Sequence, residues 1–234
     1  MHNNYEFSRD LALWCFDAER PFIYASSAST YGDGSRGFSD ANEHIESYRP
    51  LNPYGFSKHL FDLWLVRHEF DKLCVGFKFF NVFGPNEYHK ADMASLVYKA
   101  YSQVMTSGSL NLFRSGDAAY KDGDFLRDFI YVKDCVDVLM WAFDIPATKG
   151  IYNLGTGKAR SWNDLASALF AAVSKEKSIN YIDMPENIRQ SYQYFTEADM
   201  SKLRSAGYDK PFTALEAAVE DYVRGYLMQP EQYL

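Results

Sequence analysis

The first 84 residues alternate between two kinds of apolar segment, and this order restricts the fold more than any other feature of the sequence. Tyr5–Ala18 and the stretch that starts at Ser57 carry apolar side chains at helical spacing, whereas Phe22–Ala25 and Cys74–Val82 are short apolar runs. The pattern predicts helix, strand, helix, strand. Such alternation is typical of a mostly parallel sheet covered by helices, with ligands bound beyond the carboxyl ends of the strands. We therefore expect an α/β fold.

Shorter helices and strands continue the alternation beyond Pro85, and no Pro- or Ser-rich linker separates them, which favours a second lobe interleaved with the first.

Helix starts and buried helix faces can also be predicted. Capping-box patterns mark two later helix starts, because a Ser or Thr followed three residues on by an acid can satisfy free backbone N–H groups. These pairs are Ser161 with Asp164 and Thr213 with Glu216. The predicted buried face of the first helix consists of Phe7, Leu11, Trp14 and Cys15.

Composition excludes several classes of protein. A net charge of -7 over 234 residues provides no basic surface for nucleic acid, so none is expected as a partner. No apolar run approaches the roughly 20 residues that span a bilayer, so we expect no membrane segment and a cytoplasmic location. The three cysteines, Cys15, Cys74 and Cys135, are widely spaced in apolar stretches. This spacing predicts buried, reduced thiols and neither a disulfide framework nor a metal site.

Glycines match a dinucleotide-binding pattern in an unsuitable context. Gly32, Gly34 and Gly37 fit GxGxxG, but that site needs a strand turning directly into a helix whose N-terminus faces the pyrophosphate. The residues after Gly37 read FSDANEHIESYRP and lack an apolar helical face. We therefore predict a surface loop. Gly155 and Gly157 lie between a predicted strand and a predicted helix, where either a plain turn or a backbone contact with a ligand is possible.

The strongest chemical signal is the YxxxK pair formed by Tyr54 and Lys58. Four residues apart at the start of a helix, the two side chains share one face. An ammonium group beside a phenol favours the phenolate, so Lys58 can help Tyr54 to take a proton from a hydroxyl group. Ser27 ends the preceding strand, and its hydroxyl can donate to a developing oxyanion or relay the proton. We predict these three residues to be catalytic.

Three segments in order, YASSASTYG, LNPYGFSKHLFD and FKFFNVFGPNEYHK, resemble the extended short-chain dehydrogenases. The third segment, together with RDFIYVKD and GIYNLGTGKARSW, is most similar to the ADP-heptose 6-epimerases of that family, and the similarity covers nearly the whole chain. A related nucleotide-sugar 4-epimerase or 4,6-dehydratase is the alternative within the family. A catalytically inactive nucleotide-binding fragment is the alternative from another functional class.

The resemblance implies a domain organisation. Residues 1–84 correspond to the C-terminal half of a Rossmann-like dinucleotide-binding domain, and residues 85–234 mainly to a smaller α/β substrate-binding lobe, with about 128–160 returning to the sheet. An upstream cofactor-binding half of roughly 80 to 90 residues is expected to complete the enzyme. Without that half, the chain is expected to be inactive and to aggregate or pair through an open sheet edge. The intact form is expected to be a homo-oligomer.

The resemblance also implies a reaction and the residues that perform it. The family transfers hydride from C6 of ADP-heptose to bound NADP, or NAD, and returns it to the other face of a transient 6-keto sugar. Tyr54 corresponds to the first acid/base residue and Lys90 to the second; a solvated loop lysine is the alternative for Lys90. Further cofactor contacts implied are Asn3, Lys58, Val82 and Lys90. The substrate contacts implied are Ser27, Asn81, Asp92, Lys99, Phe113, Gly116, Arg127 and Tyr192.

Two of these assignments depart from the family pattern. Asp92 and Lys99 stand where the family usually has a serine and a histidine, so the sugar contacts there are expected to differ.

Arg127 and Tyr192 correspond to residues that hold the diphosphate. An arginine suits that role because its planar fork binds two phosphate oxygens at once, and a structural ion pair with Asp128 is the alternative.

Overall fold

The computed structural model describes residues 1–117, 119–186 and 193–233. They form two compact units, each assembled from separate stretches of chain. Unit 1 contains Met1–Phe80, Val136–Gly157 and Ala198–Lys210. Unit 2 contains Asn81–Cys135, Lys158–Glu197 and Pro211–Leu234. The fold is α/β with parallel sheets, as predicted.

Strands and helices alternate along the chain. The strands are β1 (Ile23–Ser27), β2 (Val75–Phe79), β3 (Asn81–Phe83), β4 (Leu110–Phe113), β5 (Leu126–Tyr131), β6 (Gly150–Leu154), β7 (Ala159–Ser161) and β8 (Ile179–Ile182). The α-helices are α1 (Phe7–Asp17), α2 (Pro53–Arg67), α3 (Leu96–Ser107), α4 (Val132–Asp144), α5 (Trp162–Ala172), α6 (Ser201–Ser205) and α7 (Leu215–Tyr222). Short 3-10 turns include Ala28–Tyr31 and Tyr88–Met93.

Unit 1 is built on the parallel sheet β1-β2-β6. Ile23 lies opposite Val75, and Val75 lies opposite Gly150, so the three strands end at the same edge. Helices α1 and α2 bury Ala12, Cys15, Phe61 and Leu65 in one cluster. The carboxyl ends of the strands therefore define one edge of the unit, where the loop after β1 begins.

The sequence prediction was wrong about the buried face of α1. Phe7 is 58% exposed and Trp14 is 63% exposed, whereas Ala12 is fully buried. Of the four predicted residues, Cys15 alone is buried, because α1 packs through small side chains at positions 12 and 15. Helical spacing identified the helix, but it did not identify which apolar stripe faces the core.

The predicted strand Cys74–Val82 is in fact two strands. β2 ends at Phe79, β3 begins at Asn81, and the two belong to different sheets. At Phe80 the backbone N–H donates to the carbonyl of Leu154, which continues the ladder of unit 1, whereas β3 pairs with β5 in unit 2. A continuous apolar run cannot reveal this change of sheet because both strands are apolar.

Unit 2 contains the sheets β3-β5-β7 and β4-β8. β3 and β5 are parallel, β5 and β7 are antiparallel, and β4 and β8 are parallel. Helices α3, α5 and α7 supply most of its core, which includes the fully buried Val104, Leu165, Leu169 and Val219. The core of unit 2 thus lies between these helices and the short strands.

One of the two predicted helix caps is present. Ser161 accepts a hydrogen bond from the backbone N–H of Asp164, whose side chain accepts from the N–H of Ser161, so α5 begins with a complete capping box. The cap predicted at Thr213 was wrong. Helix α7 has no side-chain cap, because the hydroxyl of Thr213 donates to Asp134 (2.8 Å) instead.

The glycine-rich stretch is a set of turns, as predicted. Gly32 has φ of 70°, and a Cβ atom there would lie 2.0 Å from the carbonyl oxygen of Arg49, so only glycine fits. The chain after Gly37 enters the 3-10 segment Asn42–Ser47 and no α-helix. β6 is followed after Gly157 by β7, so the second glycine pair joins two strands and not a strand and a helix.

The ends of unit 1 differ from the predicted boundaries. Residues 198–210 belong to it, although the sequence analysis assigned them to the second lobe. Lys202 explains this placement, because its ammonium donates to the carbonyls of Ile151 and Asp40 and so attaches α6 to β6.

All three cysteines are free and buried, as predicted. Within the three described ranges, no helix combines the length and apolarity that crossing a membrane requires.

Candidate functional site

The YxxxK pair lies in the first two turns of α2 because the helix has a strong start signal. The Asn52 side chain caps the helix by accepting from the N–H of Gly55 (2.8 Å), and Pro53 occupies the first turn, where its missing N–H costs nothing. The helix therefore contains both Tyr54 and Lys58 near its start, as predicted. Tyr54 is 51% exposed, so its phenol is accessible.

Lys58 is half-buried on the same helix. Its ammonium donates to the carbonyl of Ala25 (2.9 Å), which ties α2 to β1 near the carboxyl end of that strand. Burial lowers the pKa of Lys58, and the negative charge of Asp62 opposes this shift. An ammonium carries N–H donors for three acceptors, and Ala25 takes one of them. Lys58 is thus oriented by the scaffold while retaining donors for a ligand.

Ser27 is the last residue of β1 and is buried, with 8% exposure. Its hydroxyl accepts from the N–H of Ser29 (3.2 Å), which fixes the turn that follows. The same turn touches the start of α2, because a Cβ atom on Gly55 would lie 2.6 Å from the carbonyl oxygen of Ser29. The structure therefore brings the residue after Tyr54 into contact with the turn after Ser27.

The sequence analysis missed the residues that hold this arrangement. Besides Asn52 and Gly55, Asn4 donates to the hydroxyl of Ser57 (3.0 Å), which in turn donates to the carbonyl of Tyr54 (2.7 Å). The signal for Asn52 was available, since Asn-Pro before an apolar helix is a typical start. Asn3, the predicted cofactor contact, is exposed, and its carbonyl accepts from Ser8.

Unit 2 contains two adjoining cavities lined by predicted ligand residues. The larger, about 370 Å³, is lined by Leu96, Lys99, Asn111, Leu112, Phe113, Trp162 and Ile182. The smaller, about 50 Å³, shares Leu96 and Trp162 with it and includes Asn81 and Val82. The walls are mainly apolar and aromatic, and Lys99 supplies a cation at the rim of the larger cavity. This combination suits a ligand with a flat ring and an anionic group.

Arg127 is buried behind Trp162. Its guanidinium donates to the carbonyls of Leu126 and Gln193 and lies 6.0 Å from the Trp162 ring. Gln193 follows Tyr192, which lies outside the described residues. Gly116 is exposed in the loop after β4 and does not line either cavity. The structure thus brings Asn81, Val82, Lys99 and Phe113 to the cavities and leaves Gly116 apart from them.

Lys90 is exposed in the 3-10 segment Tyr88–Met93. The next residue, Ala91, has φ of 46° and ψ of -121°, a conformation that L-residues rarely adopt. Asp92 is also exposed, and its carbonyl accepts from the ammonium of Lys99 (2.5 Å). The segment is anchored through Tyr88, whose hydroxyl donates to the carbonyl of Gln232. Lys90 thus stands on a turn of unusual geometry with its side chain in solvent.

Comparison with known proteins identifies the family of the chain. Residues 1–155 match the model of the NAD dependent epimerase/dehydratase family. The chain is 53% identical to the ADP-L-glycero-D-manno-heptose-6-epimerase of Nitratidesulfovibrio vulgaris strain DP4. The alignment extends over 234 residues, which are all of this chain and 72% of that protein. The chain is 44% identical over 243 aligned positions to the protein of the same name from Fusobacterium nucleatum, and spans 73% of its length.

Solved structures show the same fold. The crystal structure of the Helicobacter pylori ADP-L-glycero-D-manno-heptose-6-epimerase superposes with a TM-score of 0.80 at 28% identity, over 95% of this chain and 65% of that one. A UDP-N-acetylglucosamine 4-epimerase from Methanobrevibacter ruminantium superposes with a TM-score of 0.79 at 22% identity, over 95% of this chain and 68% of that one, which shows a common fold alone. Given the family match over residues 1–155 and the identity along its full length, the chain belongs to the NAD dependent epimerase/dehydratase family.

Proposed function

We propose that this chain carries the acid/base residues and the nucleotide-sugar site of an epimerase that inverts C6 of ADP-glycero-manno-heptose. The observation that carries the proposal is the anchored Lys58 ammonium, on the same helix as the accessible phenol of Tyr54. The names of the relatives at 53% and 44% identity support the choice of substrate.

A nicotinamide cofactor fits the residues present, and NADP is our proposal, with NAD as the alternative. When bound, it would accept hydride from C6 and return it. Lys58 would bind its ribose hydroxyls, because the Ala25 carbonyl orients the ammonium beside β1 and uses one of its three donors. The resemblance adds Asn3, Val82 and Lys90 as further contacts. The burial that lowers the pKa of Lys58 also reduces competition from water for the contacts between its ammonium and the ribose hydroxyls.

Tyr54 acts as the first acid/base residue in this proposal. Its accessible phenol removes the proton of the sugar hydroxyl as hydride leaves C6, and returns it later. Ser27 donates its hydroxyl to the developing oxyanion, since its oxygen is already fixed by the N–H of Ser29. Tyr54 and Ser27 therefore both act on the hydroxyl group at C6 of the sugar.

Lys90 acts as the second acid/base residue. Inversion requires the sugar to present opposite faces in the two half-reactions, so a second proton-transfer group is needed. Lys90 is exposed on its turn, and its ammonium is therefore able to contact a ligand. A 4-epimerase or a 4,6-dehydratase would turn over without it.

The nucleotide occupies the cavity of about 370 Å³ in this proposal. Phe113 and Trp162 offer flat surfaces to an adenine ring, and Lys99 offers positive charge to a phosphate. Asn81, which lines the smaller cavity, binds the sugar. The resemblance adds Asp92, Arg127 and Tyr192 as further sugar and diphosphate contacts, and it also suggests Gly116, which does not line either cavity.

The deciding experiment compares substrates and matched lysine variants. The chain, joined to the upstream cofactor-binding half that the resemblance implies, is supplied with NADP and incubated with one substrate at a time: ADP-D-glycero-D-manno-heptose, UDP-galactose or dTDP-glucose. The products are separated chromatographically. Inversion of the heptose alone is the expected result. Lys90→Met should reduce turnover at least about 100-fold, whereas Lys121→Met, at an exposed loop lysine, should not change it. Turnover of UDP-galactose or dTDP-glucose that survives Lys90→Met would support the alternative.

The proposal includes a cytoplasmic location and a homo-oligomeric assembly. The assembly is implied by the resemblance, and the location is the one expected from the sequence. Light scattering of the purified protein tests the assembly, because a monomer would have a mass of 26.9 kDa.

A further inference from the structure

A buried polar cluster lies directly behind the proposed acid/base residues of unit 1, and none of its members is needed for the chemistry described above. Asp62 on α2 is fully buried, Lys78 on β2 is 2% exposed, and their charged groups are 2.5 Å apart. The other members are Tyr24, Ser26 and Thr30. We refer to these five residues as the Asp62 cluster.

Asp62 collects hydrogen bonds from two strands. The hydroxyl of Ser26 donates to Oδ2 (2.7 Å), and the hydroxyl of Tyr24 donates to Oδ1 (2.8 Å). The Lys78 ammonium donates to Oδ2 and also to the hydroxyl of Thr30 (2.8 Å). Ser26 lies opposite Lys78 in the pairing of β1 with β2. The carboxylate and the ammonium therefore satisfy each other and the side chains around them.

Stability alone does not explain this arrangement. Moving an ion pair from water into a protein interior costs about as much as the pair regains, and apolar side chains of equal volume often stabilise a core more. Such a pair is useful where a particular geometry must be kept, because hydrogen bonds are directional and apolar contacts are not.

The geometry that the cluster fixes is that of Ser27. Ser26, which precedes it, is bound to Asp62, and Thr30, which follows in the turn, is bound to Lys78. Asp62 also lies one helical turn after Lys58, so the same carboxylate sets the rotation of α2 relative to β1. The hydroxyl of Ser27 accepts from the N–H of Ser29, so the pair acts on Ser27 through its neighbours in the chain.

We propose that the buried Asp62–Lys78 pair is a positioning device that holds Ser27 from both sides, through Ser26 and Thr30, and keeps its hydroxyl in place for proton transfer. The inference rests on the proposed function for its effect on catalysis. Its structural part, the restraint of residues 26–30, stands on the hydrogen bonds themselves. Asp62 and Lys78 are positioning residues, since neither reaches the strand end where a substrate would bind.

The test removes the two links to Ser27 and leaves the buried charges paired. In the variant Ser26→Ala/Thr30→Val, Asp62 and Lys78 still face each other, so the fold is retained. Tyr24→Phe is the control, because it also removes one hydroxyl from Asp62 but leaves the bonds of Ser26 and Thr30 to the pair intact. For each protein we would measure kcat, KM, the unfolding midpoint, and amide hydrogen exchange of peptides covering residues 25–31.

We expect the double variant to lose at least about 10-fold in kcat with KM within about two-fold, because a displaced catalytic group affects the transition state and not substrate binding. Amide exchange at residues 27–31 should rise in the double variant and not in Tyr24→Phe. An equal loss of kcat in both variants, in proportion to their unfolding midpoints, would overturn the inference and leave a purely structural role.

The two proposals fail differently. Absence of epimerase turnover in the unmodified protein would contradict the proposed function, and hydrogen exchange would then still decide the positioning role. Faster exchange confined to the double variant supports that role. Exchange that is unchanged, or equally raised by Tyr24→Phe, overturns it.

Discussion

His59 should make the stability of the protein depend on pH in the range where most carboxylates are already ionised. It follows Lys58 on α2, is 3% exposed, and no group in the described part of the chain hydrogen-bonds its Nδ1 atom. Burial, with smaller contributions from the Lys78 ammonium and Arg49, lowers its pKa to about 4, against the opposing charges of Asp62 and Glu46. The imidazole is therefore neutral in the folded protein at pH 5.

The direction of the effect follows from proton binding. In the unfolded chain His59 takes up a proton near pH 6.5, whereas the folded protein resists protonation until about pH 4. Between these values the unfolded state binds more protons, so stability rises with pH through this window and falls on acidification. Integrating the two titrations gives a loss of about 2 kcal/mol between pH 7 and pH 5.

The assay is urea unfolding, followed by fluorescence, at several values between pH 7 and pH 5. His59→Gln removes the titrating group, so its stability should fall about 2 kcal/mol less than that of the unmodified protein over this interval. His68→Gln is the matched control, because it replaces an exposed histidine at the end of the same helix. Identical pH dependence in the unmodified protein and His59→Gln would refute the argument that His59 is buried as a neutral group.

Three further predictions concern packing, ligand binding and thiol chemistry. Gly55→Ala should destabilise the protein by about 1 to 3 kcal/mol, because its Cβ would meet the Ser29 carbonyl at 2.6 Å, whereas Gly225→Ala, with 3.4 Å to its nearest neighbour, should be tolerated; equal unfolding midpoints for the two would contradict this. Trp162→Ala should weaken ADP binding roughly 10-fold in calorimetry, and an unchanged affinity would show that the cavity beside it is not the nucleotide site. Cys74 should react with Ellman's reagent only as the protein unfolds in urea, because it is fully buried and burial raises its pKa to about 12; rapid labelling in native protein would disprove this.

Local sequence patterns predicted the elements and the main reactive residues. The capping box at Ser161 forms as expected, because it depends on neighbouring residues alone. Tyr54 and Lys58 share a helix for the same reason. The rejection of the GxGxxG match at Gly32 also depended on local context, and it was correct.

The errors arose where distant parts of the chain decide the outcome. Thr213 could have capped α7, but Asp134 captures its hydroxyl from 79 positions away. Phe7 and Trp14 have the spacing of a core face, yet the neighbours available to α1 select the stripe of small side chains instead. Lys78 looked like an ordinary charged residue in a strand, and its role depends on Asp62, which no local rule connects to it.

The late return of β6 has a consequence for biosynthesis. β2 has one neighbour, β1, close to it in sequence, whereas its other neighbour is β6, with Phe77 opposite Tyr152. Ribosomes add roughly 5 to 20 residues per second, so several seconds pass between the synthesis of β2 and that of β6. Until then, one row of backbone N–H and C=O groups of β2 is unpaired. During that interval the nascent chain exposes an apolar strand edge to which other chains can pair. Chaperone binding during translation should therefore be strongest on nascent chains that have passed Phe79 and not yet reached Gly150.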